Sequence, residues 1–175
     1  MDIMNDRGKF FLDFGLAQAH TLTALLIEAG IRTEMTGQCR RGGETISAID
    51  LLVEESRPGS AALDRVMGIP DIITEDTLSF LRQGGPPVHI LFAPPQGFVP
   101  SLFLTTGSEA HVARIRDIAR AKTTEICRDG FLRGGMPETL ADEHALYAML
   151  EMQYIPPELR EAGGREIDLA MHHAL

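Results

Sequence analysis

The 175-residue chain is 44% hydrophobic and 23% charged, a balance that suits a soluble globular protein of one domain or two small ones and excludes a disordered tail or a fibre. No apolar run approaches the roughly 18 to 20 residues of a membrane span, and the start Met1-Asp2-Ile3-Met4-Asn5-Asp6-Arg7 lacks the pattern of a secretory signal, so a cytoplasmic protein without membrane contact is expected. The formal net charge of −9 counts against general nucleic-acid binding, because nonspecific affinity comes from Lys and Arg neutralising phosphates. The acidity is evenly spread, with 8 basic against 13 acidic residues over 1–103 and 8 against 12 over 104–175, so only a local patch could bind a polyanion. Cys39 and Cys127, far apart and in no CxxC pattern, read as free thiols.

Lys9 to Ala29 places Phe10, Phe11, Phe14, Leu22, Leu25, Leu26 and Ile27 densely enough for a buried helix stopped by Gly30. Ile31 to Met35 alternates as a half-buried strand. Gly37 and the pair Gly42-Gly43 bracket a basic turn, and Ile46 to Val53 reads as a central strand. Ala61 to Met67 suits a short helix. Leu78 to Leu81 and Val88 to Phe92 suit two strands joined through Gln83-Gly84-Gly85-Pro86-Pro87. The first hundred residues are therefore α/β in pattern, with a mixed sheet and flanking helices.

The character changes after Pro94-Pro95 and Pro100, and a small α/β unit is expected over 104–175 after a first unit over 1–103. Ser108 is a natural N-cap for a helix from Glu109 to about Lys122. Asp142 to Glu151 has helical spacing through Leu146, Met149 and Leu150. Ile155-Pro156-Pro157-Glu158-Leu159-Arg160 must be extended or turned, because each proline restricts the residue before it. The chain has no internal repeat or low-complexity tract.

Gly37-Gln38-Cys39-Arg40-Arg41-Gly42-Gly43-Glu44-Thr45-Ile46-Ser47-Ala48-Ile49-Asp50 resembles the signature of family X DNA polymerases and their nucleotidyltransferase relatives: Gly-Ser, two Arg, Glu-Thr, then Asp-Ile-Asp on a strand. In such a pattern a tight glycine turn lets backbone N–H groups and arginines reach a triphosphate, while alternate strand positions aim two carboxylates at two Mg²⁺ ions. Thr106-Gly107-Ser108-Glu109-Ala110-His111 is similar to the turn that opens the family's thumb, and Tyr154 to Glu161 to a C-terminal thumb motif of its bacterial members. The resemblance covers roughly residues 31–168 and implies a palm followed by a thumb. It also implies phosphate or nucleotide contacts at Gly37, Arg40, Arg41, Gly107 and Ser108.

The departures fall where the chemistry of the family lies. Ala48-Ile49-Asp50 stands for Asp-Ile-Asp, and the third carboxylate aligns with His89, so Asp50 is the one catalytic remnant. Two hard Mg²⁺ ions need more oxygen ligands than one Asp and an imidazole supply, so no cofactor is expected. Asp50 and His89 read first as hydrogen-bonded strand residues; as two ligands of a softer ion such as Zn²⁺ they would need a third from elsewhere, and no His or Cys spacing supplies one. In the implied substrate pocket Gln38 replaces a phosphate-binding Ser, Leu104-Thr105 an aromatic pair and Val112 an Asn; Cys127-Arg128 replace an Asn-Glu pair of the thumb.

Residues 111–133 carry 6 basic against 3 acidic groups, with Arg114, Arg116, Arg120 and Lys122 on the helix after Ser108. Arg116 matches a thumb position near the template strand in the relatives, which implies a weak DNA contact; a solvated helix face salted by Asp117 reads equally well. The leading expectation is an inactive polymerase-like protein acting through nucleic acid or, given its acidic surface, a protein partner. The alternatives are an active reduced polymerase using Mg²⁺ with Glu44, Glu54 or Glu55 moved into the site, and a nucleotide sensor built on Gly37, Arg40 and Arg41.

Overall fold

Gly15, Ala19, Leu22 and Leu26 recur at intervals of three and four, which puts them on one stripe of a helix and gives the first helix a side to bury. The computed structural model, which describes residues 4–5, 9–55, 72–73, 77–81, 84–161, 164–173 and 175, shows that helix (α1) over Leu12–Glu28 with this stripe inward. A Cβ on Gly15 would lie 2.0 Å from Ile46 Cδ1, so glycine lets the helix pass over that side chain without displacing its tip. Phe10–Phe11 (β1), read from sequence as helix, instead pairs antiparallel with Thr45–Ile46 (β3).

The chain forms two compact units, Met1–Pro95 and Gln96–Leu175. The first unit holds a five-stranded mixed sheet built from Thr33–Thr36 (β2), Ile49–Glu54 (β4), Ile72–Ile73 (β5), Thr77–Phe80 (β6) and Val88–Ala93 (β7), in the order β2-β4-β7-β6-β5. Strands β4 and β7 pair in parallel, and the other pairs are antiparallel. Alternation along β4 and β7 sends Ile49, Leu51, Val53, Val88, Ile90 and Phe92 toward α1, where they form the core of this unit. The opposite face receives Asp50 and His89.

Two expectations from the sequence differ here. The run from Ile46 to Val53 is not one strand, because its first residue belongs to β3 and the main strand starts only at Ile49. The basic turn is a short helix, Gly37–Arg41 (α2), ended by Gly42 in the left-handed conformation with φ 71°. Gly42 thus acts as a helix stop rather than as half of a two-glycine turn. The helix expected over Ala61 to Met67 lies outside the described residues.

The second unit opens with Phe98–Thr106 (α3), a helix not expected from the sequence and one that runs through residue 103. Pro100 is accommodated because it falls in the first turn, where the backbone N–H has no intrahelical partner to lose. There follow Glu109–Ala121 (α4), the antiparallel meander Thr124–Cys127 (β8), Gly130–Arg133 (β9) and Met136–Glu138 (β10), then Glu143–Met149 (α5) and Arg165–Met171 (α6). The expected turn in the proline motif is a 3-10 turn at Pro157–Leu159. Phe103, Ile115, Phe131, Leu146, Tyr147 and Ile155 centre the core of this unit. The architecture is mixed α/β, in agreement with the class the sequence implies. No helix among the described residues is long and apolar enough to cross a membrane.

Candidate functional site

In the first unit the register of the sheet assembles a polar row. Thr36 pairs with Asp50, Asp50 with His89, and His89 with Ser79, so four side chains from four strands share one face. Within the row His89 Nδ1 lies 3.1 Å from Asp50 Oδ1, with the His89 and Asp50 side chains 40% and 26% exposed. The two positions singled out from sequence therefore meet. Burial holds the Asp50 carboxyl above its usual range, against the opposing pull of His89 and Arg41.

Gly37 opens α2 directly against this carboxylate. Its φ of +59° is left-handed, and a Cβ would stand 2.3 Å from Asp50 Oδ2, so both conformation and space require glycine. Arg40 and Arg41 occupy the last turn of α2, partly buried. Gln38, the replacement for a phosphate-binding serine, spends its side-chain oxygen inside the fold, accepting from the backbone N–H and the hydroxyl of Ser47 at 2.9 Å each. Cys39 is buried beside the row; desolvation first, and Asp50 second, push its thiol up to about 11.

The donor set does not fit two Mg²⁺ ions. Ala48 contributes a methyl group and is buried, leaving one carboxylate bonded to an imidazole where hard cations require several oxygens. Glu54, a candidate substitute, pairs with Arg32 at 2.7 Å four residues further along β4, roughly 13 Å from Asp50 at the rise of a strand. Among the described residues no three His, Cys, Asp or Glu side chains converge to hold a metal ion.

In the second unit the expected nucleotide contacts are engaged in the architecture. Ser108 Oγ accepts from His111 N at 3.2 Å, capping α4, while its own N–H donates to the Arg160 carbonyl at 2.9 Å. A Cβ on Gly107 would come within 3.0 Å of Val112 Cγ2 and 3.1 Å of His111 Cδ2, so this glycine admits the tight turn between α3 and α4.

Beneath that turn lies a buried polar network that the sequence did not disclose. His111 has no solvent exposure and contacts Glu166 Oε1 through Nδ1 at 3.2 Å and the Tyr147 hydroxyl through Nε2 at 3.0 Å. Burial pushes His111 below its ordinary pKa, so it is neutral. Glu166 as carboxylate then assigns the proton to Nδ1, and Nε2 accepts from Tyr147. Arg160, also fully buried, donates from Nη1 to Glu143 Oε1 at 2.5 Å and from Nε to the Ile155 carbonyl at 2.8 Å. Its guanidinium lies within 6 Å of the Phe103, Tyr147 and Tyr154 rings. The available signal was the Pro-Pro-Glu-Leu-Arg motif itself, whose arginine serves the core.

The four predicted cations of α4 do not form a single face. At about 100° per residue Arg116 and Arg120 share one flank, while Arg114 lies roughly 200° round from Arg116. Arg114 donates to Asp168 of α6 at 2.5 Å, Arg120 to Asp117 at 2.8 Å and Lys122, at the C-cap, to Glu151.

With this geometry in place, two similarities to known proteins bear on the chain. Residues 101–161 match the DNA polymerase beta thumb family, a span that runs from α3 through the Pro-Pro motif and includes both the capped turn and Arg160. The DNA polymerase/3'-5' exonuclease PolX of Bacillus subtilis (strain 168) is 27% identical over 144 residues, covering 76% of this chain and 25% of that protein. The chain thus spans about a quarter of the length of this relative. The order of the motifs, the mixed α/β fold and the matched thumb agree in making the chain similar to the family X polymerases.

Proposed function

We propose that the chain is a catalytically silent relative of the family X polymerases, with a palm over about residues 1–103 and a thumb over 104–175, that acts by binding rather than by nucleotide transfer. The observation that carries this reading is the state of Asp50. The carboxylate that would share two metal ions is hydrogen-bonded to His89, beside a buried methyl group at Ala48. A two-metal displacement needs a set of oxygen ligands on both ions, and this face offers one carboxylate. The proposal requires no divalent ion. A DNA backbone contact through the Arg116 and Arg120 flank of the thumb, and a protein partner for the acidic remainder, are its two binding modes; the matched thumb and the polymerase activity in the relative's name support the first.

Two measurements test it. Templated incorporation on gapped DNA is expected to be absent with Mg²⁺ or Mn²⁺, and robust extension abolished by Asp50→Asn would overturn the silent reading. Restoring the lost groups with Ala48→Asp and His89→Asp is expected to lower the melting temperature in EDTA, because three carboxylates then converge, and to let Mg²⁺ restore it. A double variant that melts like the parent and ignores Mg²⁺ would show that the three positions do not converge.

A further inference from the structure

Each of three cations on and beside α4 is already held by a carboxylate, and in every pair the carboxylate is the more exposed partner. Asp117 is 72% exposed against 62% for Arg120, Asp168 57% against 42% for Arg114, and Glu151 80% against 35% for Lys122. Such pairs contribute about 0–1 kcal/mol, and an exposed carboxylate can swing into water without leaving a buried charge behind. Arg116, which has no ion pair among those described, lies on the same flank as Arg120.

We propose that Asp117 on the flank of Arg116 and Arg120, with Asp168 and Glu151 over Arg114 and Lys122 away from that flank, form a carboxylate screen over the cations of the thumb, so that a nucleic-acid backbone binds the Arg116 and Arg120 flank by displacing a carboxylate instead of meeting free cations. The inference rests on the reading that the thumb contacts DNA. Phosphates fit this surface because they offer the same oxygen geometry to Arg and Lys at higher charge density. Screening leaves a signature in the salt dependence. The two cations of that flank, Arg116 and Arg120, meeting two phosphates unscreened would give a slope of log K against log salt near −1.8, at about −0.9 per contact, whereas a cation that exchanges one anion for another releases fewer counterions and gives a shallower slope.

The experiment uses the full chain and a short duplex DNA, read by fluorescence anisotropy across a salt series. The variant Asp117→Asn, Glu151→Gln, Asp168→Asn is compared with a charge-matched control, Glu109→Gln, Glu138→Gln, Glu158→Gln, whose three glutamates are exposed and outside these pairs. The unscreened variant is expected to bind about tenfold tighter than the control at low salt, with a slope steeper by about 1. Equal affinity and slope in the two variants would overturn the screen, because the gain would then be net charge alone. A parent slope already near −1.8 would overturn the screen and leave the DNA reading standing; no binding by any of the three proteins would remove both. Asp117→Asn alone, which breaks only a pair within α4, keeps the test decisive if the triple variant melts early: it is expected to gain affinity over Glu109→Gln, and parity there overturns the screen as well.

Discussion

Polar residues are treated in opposite ways by the two units. In the second, His111, Glu143, Tyr147, Arg160 and Glu166 are drawn inside and bonded to one another, so the recognisable motif residues are part of what holds the helices together. In the first, Asp50 and His89 remain on a half-open sheet face, where they hold each other and little else depends on them. Under the catalytically silent reading proposed above, the contrast accounts for which parts of the family pattern persist. A residue whose removal strands a buried charge is kept by the fold, while a metal ligand on an open face can become Ala or His without unfolding anything.

Substitutions can break or sharpen this contrast. The largest effect is expected at Arg160. Replacing it with Met leaves Glu143 buried without its partner, and a loss of about 3–5 kcal/mol is expected in urea denaturation. Arg160→Met combined with Glu143→Gln should recover part of that loss. A cost below about 1 kcal/mol for the single change would mean that the network is not what secures the second unit.

Gly37→Ala comes next. The left-handed backbone and the approach to Asp50 Oδ2 together are expected to cost about 1–3 kcal/mol. Adding Asp50→Ala removes the obstructing carboxylate but not the backbone strain, so the double variant should regain part of the stability. Were the single variant as stable as the parent, the close contact between α2 and β4 would be wrong.

The smallest effect is at Asp50 and depends on pH. Because burial raises the carboxyl pKa in the folded state, ionisation opposes folding. The stability contributed by the protonated form is present below the unfolded pKa and is lost as pH rises through the raised folded value. Asp50→Asn, which can still accept from His89, is therefore expected to be more stable than the parent at pH 7, by up to about 1 kcal/mol. That advantage should vanish as the pH falls through the folded pKa. Paired melts at pH 7 and pH 4 read the difference, and an advantage that grows in acid would reverse the assignment.

What was legible in the sequence divides along the range of the interactions. Ser108 as N-cap, Asp142 ahead of α5 and the alternation of β7 are local rules, and each element stands within a few residues of its expected place. The adjacency of Asp50 and His89 was legible only through the motif resemblance, since nothing in the chain between two residues 39 apart encodes a parallel pairing. Helix α3 was hidden by Pro100, which reads as a breaker unless the helix start is already known. The meander β8–β9–β10 has strands of three or four residues, too short for alternation to declare itself. The hydrogen bonds between Arg160 and Glu143, and between His111 and Glu166, span 17 and 55 residues and have no sequence signal of their own.

The burial of Cys39 gives the protein an unequal response to alkylating reagents. A thiol whose pKa lies near 11 presents roughly one thiolate in ten thousand at pH 7, and this one also faces the Ala48 carbonyl inside the fold. Cys127 in the second unit also meets a carbonyl, that of Gly130, but is partly exposed. Maleimide therefore labels Cys127 in the native protein and reaches Cys39 only when the first unit opens, so the order of modification times the opening of that unit from within the intact chain.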